Sequence, residues 1–323
     1  MRFTLRRLAA AVPLLWLVWT LTFVIGHLAP GDSLALYRGP NVSAVALERL
    51  RHVYGLDDPV ALQYLKQFGA TVTGDLAVST SQGRPVRDII GEAIGPTLLL
   101  TGIALFLTFM FGGVLGLVSA RAAHRPLDHA ITTGALFLYS MPSFWLGVEL
   151  ILLFSYSLGW LPSSHMASTR RPAGMFGSFA DLGLHLALPV ATLALGSIAA
   201  VSRHLRSSLL EALATPFIRA ARARGLSEWR VVGRHGLRNA LLPMVTLLGL
   251  SLPVLLSGTV VVEVIFSWPG LGQVAYGAIR ARDFPLVQAT TLMTTALVLV
   301  GSLLADLLAA ALDPRVRLQR ETP

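Results

Sequence analysis

Long apolar runs alternate along the chain with shorter, arginine-bearing stretches, and the runs have the length of membrane spans. A helix rises 1.5 Å per residue, so about 20 apolar residues cross a hydrocarbon core. Six stretches reach that length, at roughly 8–29, 95–119, 130–158, 184–202, 241–262 and 286–311. They predict an all-α polytopic membrane protein with six transmembrane helices. Pro13, Pro96, Pro142, Pro189, Pro243 and Pro253 lie in or at the ends of these runs, where neighbouring helices or polar side chains satisfy the freed carbonyls. Small residues recur too, as in Gly112-Gly113-Val114-Leu115-Gly116, a face that lets helices approach closely in lipid. The first run follows Arg6-Arg7 as a signal peptide would. It is too long for an h-region and no A-x-A-like site closes it, so a retained span is expected.

Composition agrees with a membrane class. The 323 residues are 54% hydrophobic and 13% charged, with a mean hydropathy of +0.66, where soluble domains carry about 25% charge. The absence of cysteine excludes disulfides, Cys-ligated zinc, iron–sulfur clusters and thiol nucleophiles. The net charge of +9 is unevenly placed: with the N-terminus inside, the inner segments hold sixteen basic residues against five acids, the outer segments ten of each. By the positive-inside rule both termini face the cytoplasm. Spent on orientation, the charge forms no basic face of a soluble domain, and no nucleic-acid partner is expected.

Between the outer ends of the first two runs lies the segment 30–93. Val45 to Leu50 and Val60 to Phe68 read as short helices around the turn Gly55-Leu56-Asp57-Asp58-Pro59. The segment is too short for a deep core of its own and is expected to rest on the membrane part. It serves either as a lid over the outer mouth or as a contact for a substrate-delivering partner. In the outer stretch 159–183, which also carries Arg170-Arg171, Trp160 sits where an interfacial anchor belongs. In 263–285, Trp268-Pro269-Gly270-Leu271-Gly272 makes a turn, and Phe266, Trp268 and Tyr276 are expected at the headgroups or in packing, or else cap a pathway.

The inner stretch 203–240 carries clear helix punctuation. Thr215 is placed as an N-cap with Pro216 at the first helical position. Phe217 to Arg224 then forms a short helix that Gly225 stops in a left-handed turn. Ser227 caps a second helix with Glu228 in its first turn, running through Trp229 toward Asn239 and Pro243. Ala220, Ala221 and Ala223 keep the first helix slim, and Arg219, Arg222 and Arg224 surround it with charge. Two readings fit equally: a helix that enters a partner's groove, or one held to anionic lipid at about 1 kcal/mol per arginine.

Catalytic chemistry finds no support. A phosphate-binding G-x-x-x-x-G-K-[ST] loop needs a lysine after glycine, and the sole lysine, Lys66, follows Leu65. Leu256-Ser257-Gly258 lies inside a span, out of reach of nucleotide. The eight histidines form no metalloprotease-like pair and no G-x-S-x-G elbow appears. Glu149 and Asp306 are acids inside predicted spans, and such acids face a bundle interior or cavity. Asp306 has Arg315 or Arg317 to pair with; Glu149 lines the pathway and meets a cationic group, or bonds across a subunit interface.

The run from Arg219 through Gly225-Leu-Ser-Glu-Trp229 to Pro243 resembles the ATPase-coupling loop of bacterial ABC importer permeases, the dipeptide/oligopeptide/nickel branch above all. His27-Leu-Ala-Pro-Gly-Asp32, Tyr54-Gly-Leu-Asp-Asp-Pro59 and Gly74-Asp-Leu76 are similar to the N-terminal region of that branch's first permease subunit. So are Met141-Pro-Ser-Phe-Trp-Leu-Gly147, Leu158-Gly-Trp-Leu-Pro162, Val262 to Gly272 and Leu312-Asp-Pro-Arg315. Each string is weak alone; their order over nearly the whole chain is specific. The wider coupling motif begins Glu-Ala-Ala, and here Arg219 replaces the glutamate, with the following Leu-Pro displaced to Leu242-Pro243.

The resemblance implies a MetI-like type I ABC importer fold in a bacterial cytoplasmic membrane. Its parts would be a tip and first helix (1–29), an extracytoplasmic segment (30–93), a core of five helices (94–312) with the coupling loop 203–240, and a tail (313–323). Coupling would fall to Phe217, Arg219, Ala220, Ala221, Arg222, Ala223, Arg224, Gly225 and Leu226. Partners would be a second homologous permease, two cytoplasmic ABC ATPases that bind the ATP and Mg, an extracytoplasmic solute-binding protein and membrane lipids, with no cofactor in this chain. The solute would be a peptide or a related small molecule. A self-contained secondary transporter is the alternative. It would need embedded ion-coupling groups and inverted repeats, against which stand two embedded acids and no clear repeat.

Overall fold

The computed structural model describes residues 2–28, 57–169 and 174–312. The expected helix Val45–Leu50, Arg170-Arg171, the arginines offered to Asp306 and the tail 313–323 lie outside the described residues. Within them the chain is helical, with turns and one isolated antiparallel bridge, Val78 to Pro85. The helices are α1 (Arg2–Leu28), α2 (Val60–Val72), α3 (Val86–Arg121), α4 (Pro126–Ser140), α5 (Ser143–Leu150), α6 (Gly174–Leu213), α7 (Pro216–Ala223), α8 (Glu228–Arg230), α9 (Leu237–Ile265), α10 (Leu271–Ala281) and α11 (Phe284–Leu312). Wider π-helical turns continue α5 through Ile151–Ser157 and join α8 to α9 through Val231–Gly236.

Among the described residues four helices are long and apolar enough to cross a membrane: Ala9–Leu28, Val86–Arg121, Gly174–Leu213 and Phe284–Leu307. The bent pair Pro126–Ser140 and Ser143–Ser157 makes a fifth if it counts as one span. The run 130–158 is therefore not a single straight helix. Its halves meet at 101°, because Pro142 has no N–H to continue a helix and holds Met141 extended, at ψ 132°. The run 241–262 lies within the 29-residue α9, which stays helical through Pro243 and Pro253. With 40 residues, α6 is about 60 Å long. It overruns 184–202 at both ends, turning part of two expected loops into helix.

The chain divides into two compact units. One draws on residues 1–97 and 269–297. In it α2 runs back along the C-terminal half of α1: His27 Nε2 meets Gln63 Oε1 at 3.1 Å, and Trp19 Nε1 donates to Thr71 Oγ1 at 3.2 Å. Trp19 is buried there, edge-on to Tyr64 and Phe68 at 5.0 and 5.1 Å. Val86, Ile89, Ile90 and Ala93 form a second core with Leu271, Ala278, Leu286 and Ala289. Thr97 Oγ1 accepts the N–H of Leu271 at 2.8 Å and so satisfies the first turn of α10.

The other unit draws on residues 98–268 and 298–323. One of its cores gathers Leu100, Leu186, Leu193, Leu255, Val262, Phe266 and Trp268. Of the three aromatics expected at headgroup depth, in packing or over a pathway, Phe266 and Trp268 pack in the core and Tyr276 is exposed. Trp160 is exposed as an interfacial anchor would be. The glycine face on α3 does what its small residues suggested. A Cβ on Gly112 would lie 2.7 Å from Val201, and one on Gly116 2.7 Å from the carbonyl of Ser202.

Candidate functional site

The stretch 203–240 is built from the end of α6 through α7 into α9. Helix α6 stops because Pro216 forces Thr215 out of the helical region, to φ −71°, ψ 152°. Thr215 is the N-cap by position, but its hydroxyl donates back to the carbonyl of Ala212 at 2.6 Å and caps nothing. Ser227 likewise starts α8 without a side-chain cap. Only the backbone part of both expected caps forms: the Thr215 carbonyl accepts from Ile218 at 3.2 Å and the Ser227 carbonyl from Arg230 at 2.9 Å.

The glycine stop is as expected. Gly225 has φ +75°, its N–H reaches the carbonyl of Arg222 at 2.9 Å, and Leu226 N–H reaches that of Ala221 at 3.4 Å. This is the paired closure of a Schellman turn, complete with its hydrophobic contact, since Leu226 packs on buried Ile218, Ala221 and Val231. The second helix begins at Glu228. It passes through the π-helical turns straight into α9, where Gly236 lets the backbone approach Leu209 and Leu213 of α6.

Burial divides the expected coupling residues. Phe217, Arg219, Ala220, Arg222, Ala223, Arg224 and Gly225 are exposed, Leu226 half-buried and Ala221 buried. Ala221 is therefore slim toward its own chain, and the face open to a partner comprises Phe217, Ala220 and Arg224 with their neighbours. Arg222 pairs with Glu228 at 2.7 Å, an exposed pair that also bridges the glycine turn. Such a pair contributes at most about 1 kcal/mol. Arg121, at the end of α3, lies over the exposed ring of Trp229 at 4.3 Å.

Beside this stretch is a cluster that sequence reasoning missed. Asp128, in the first turn of α4, is buried. Arg206 on α6 grips it with Nε and Nη2, both at 2.7 Å. Ser119 on α3 donates its hydroxyl to the same carboxylate, and the His124 N–H does so at 2.9 Å. Arg125-Pro126-Leu127-Asp128 reads as a helix start, but nothing in it marks a partner 78 positions away.

Glu149, on α5, is exposed and has no hydrogen bond or ion pair among the described residues. Asp306 is half-buried on α11. Near the N-terminal end of α6, His185 and Asp181 are buried and Ser168 completes a Ser–His–Asp group. Its geometry is that of a loop clasp. His185 Nδ1 faces the carbonyls of Ser164 and His165 at 3.0 Å, and Ser168 donates directly to Asp181 at 2.5 Å. A hydrolytic triad needs the carboxylate on the histidine's far nitrogen. Among the described residues no group of His, Asp or Glu is placed to hold a metal.

Residues 112–318 match the family model described as a binding-protein-dependent transport system inner membrane component, and residues 1–110 match the model of the N-terminal part of such membrane components. The oligopeptide transport system permease protein AppB of Bacillus subtilis is 39% identical over 97% of this chain and 98% of its own length. The glutathione transport system permease protein GsiC of Escherichia coli K12 is 36% identical over 98% and 99%. Among solved structures, an inward-facing MetNI methionine ABC transporter aligns with TM-score 0.55 and 19% identity, over 71% of this chain and 98% of that one. An amino acid ABC transporter aligns with TM-score 0.54 and 18% identity, over 70% and 94%. These two likenesses concern the fold, which is that of MetI-like type I importers.

Proposed function

Since the chain belongs to the family of binding-protein-dependent transport system inner membrane components, we propose that it carries peptides, or a related solute such as glutathione, as one of two permease subunits in the bacterial cytoplasmic membrane. It is a permease subunit of an ABC importer and not an enzyme. The second permease is a homologue, an extracytoplasmic binding protein delivers the solute, and two cytoplasmic ATPases bind the ATP and Mg. In this reading α9 is a sixth span, both termini are cytoplasmic, and the parts are 1–29, 30–93, 94–312 with the coupling loop 203–240, and 313–323.

The observation that supports it best is the shape of α7. A short helix with one face buried on Ile218 and Ala221 is set off between two long helices by Pro216 and the Gly225 turn. Its outer face, Phe217, Ala220, Ala223 and Arg224 with Arg219, Arg222, Gly225 and Leu226 beside it, fits a groove on an ATPase. Closure of the ATPases on ATP would push α7 and swing α6 and α9 as rigid bodies between inward- and outward-open states. Liposomes test this. The chain with a second permease, both ATPases and the binding protein should take up peptide on ATP, and the chain alone should not. Uptake by the chain alone, driven by an ion gradient, would sink this reading in favour of a secondary transporter.

A further inference from the structure

The Asp128 cluster lies where the push on α7 must enter the spans. Arg206 is on α6 two turns before the helix ends at Leu213, and α7 begins at Pro216. Asp128 is on α4, the first half of the bent pair. Ser119 is in the last turns of α3. One carboxylate thus ties the inner ends of three helices, two of which touch nothing of α7 among the core contacts around Ile218, Ala221 and Val231.

The tie has the properties of a joint and not of a surface ornament. Asp128 is 2% exposed and accepts from a guanidinium fork, a hydroxyl and a backbone N–H. Bidentate pairing fixes direction as well as distance. A carboxylate taken out of water and then deprived of its partner is costly, so the cluster is either whole or broken, with little between. The apolar contacts of the same region, Ala120, Val201, Leu205 and Leu209 against Val232, Ala240 and Met244, allow sliding; the ion pair does not. Gly116 against Ser202 brings α3 and α6 close enough for Ser119 and Arg206 to share one acceptor.

We propose that Asp128 and Arg206 are positioning residues for energy coupling: they lock the inner end of α6 to α4 and α3, so that displacement of α7 moves these helices together. The proposal rests on the transport reading above. Without the lock, α6 would give at its end and ATP would be hydrolysed without a matching movement of the spans.

The test is the number of ATP molecules hydrolysed per solute taken up, measured in liposomes holding the whole transporter. D128N and R206Q should assemble with the second permease and the ATPases yet consume about two- to thirty-fold more ATP per solute, the range in which residues between coupled sites act. S119A, which keeps the ion pair, should give a smaller rise, and D128E should restore part of the coupling. A merely structural role lowers the yield of assembled transporter and leaves the ratio unchanged; a wild-type ratio in D128N and R206Q overturns the proposal. If those two do not assemble, S119A decides, and a wild-type ratio there overturns it equally. A wild-type assembly without ATP-driven uptake would instead overturn the transport reading itself.

Discussion

Ser79 Oγ donates a 2.5 Å hydrogen bond to the carboxylate of Asp283, 204 positions further along the chain. The same oxygen accepts from Ser81 N–H and Oγ at 2.9 and 2.7 Å, and the other accepts from Leu286 N–H at 3.2 Å, capping α11. Burial pushes the Asp283 pKa up, but the donors of Ser79, Ser81 and Leu286 outweigh it and hold the group below its ordinary value. A depressed folded pKa means stability that is present above the unfolded value, about 4, and lost as pH falls through the folded one. The solubilised protein should therefore keep a constant melting temperature from neutral pH to about 5 and lose stability below about 4. Asp283→Asn should cost about 1–3 kcal/mol at neutral pH and flatten the acid limb. A variant that melts like wild type at pH 7 would remove the cap from this account.

The apolar runs, the glycine stop at 225 and the small-residue pattern of Gly112 and Gly116 were legible in the sequence, because each pattern is local, although the helix that the two glycines approach, at Val201 and Ser202, lies far along the chain. Phe266 and Trp268 were not: aromatic residues near a turn suit headgroups and cores alike, and only packing against Leu186 and Leu193 separates the two. The Thr215 and Ser227 hydroxyls matched the capping pattern but not its geometry. The pairs Asp128–Arg206 and Asp283–Ser79 were hidden for another reason. A polar side chain near a helix start looks like an orientation charge until a distant segment supplies its partner.

Gly225 and Gly116 should fail for opposite reasons. A Cβ on Gly225 meets nothing within 4 Å, so the cost of substitution there is the left-handed backbone alone, about 1–2 kcal/mol. Gly225→Ala and Gly225→Leu should lose similar amounts, and Gly225→Asn, which tolerates that conformation, less. Uptake coupled to ATP should fall further for Gly225→Leu than for Gly225→Ala, because the docked ATPase meets this face. A melting loss of the isolated chain that grows with side-chain volume would show instead that the chain's own residues pack here.

For Gly116 the backbone is ordinary and the space is not. A Cβ there would lie 2.7 Å from the Ser202 carbonyl and 3.0 Å from Leu205 Cβ. Gly116→Ala should destabilise by about 1–3 kcal/mol through overpacking, and Gly116→Leu by more. Melting of the solubilised protein measures this. Equal melting temperatures for Gly116→Ala and wild type would mean that α3 and α6 can separate freely at this crossing.

Glu149 carries the prediction about the solute. It lies on the side of α5 away from Gly147, whose face packs on Phe266 and Thr192. Trp145, Leu152, Leu153 and Tyr156 are exposed at neighbouring helical positions, so the carboxylate stands in an apolar face of the isolated chain. A charge in that setting is expensive unless an assembly supplies a partner. A protonated amino group of the solute is such a partner. Glu149→Gln should then reduce uptake of peptides with a free amino terminus by about tenfold, the worth of one charge-assisted hydrogen bond. N-acetylated peptides delivered by the same binding protein should be taken up as before. Equal uptake of both in the variant and wild type would refute a contact with solute. If the second permease no longer copurifies with the variant, Glu149 bonds across the subunit interface instead.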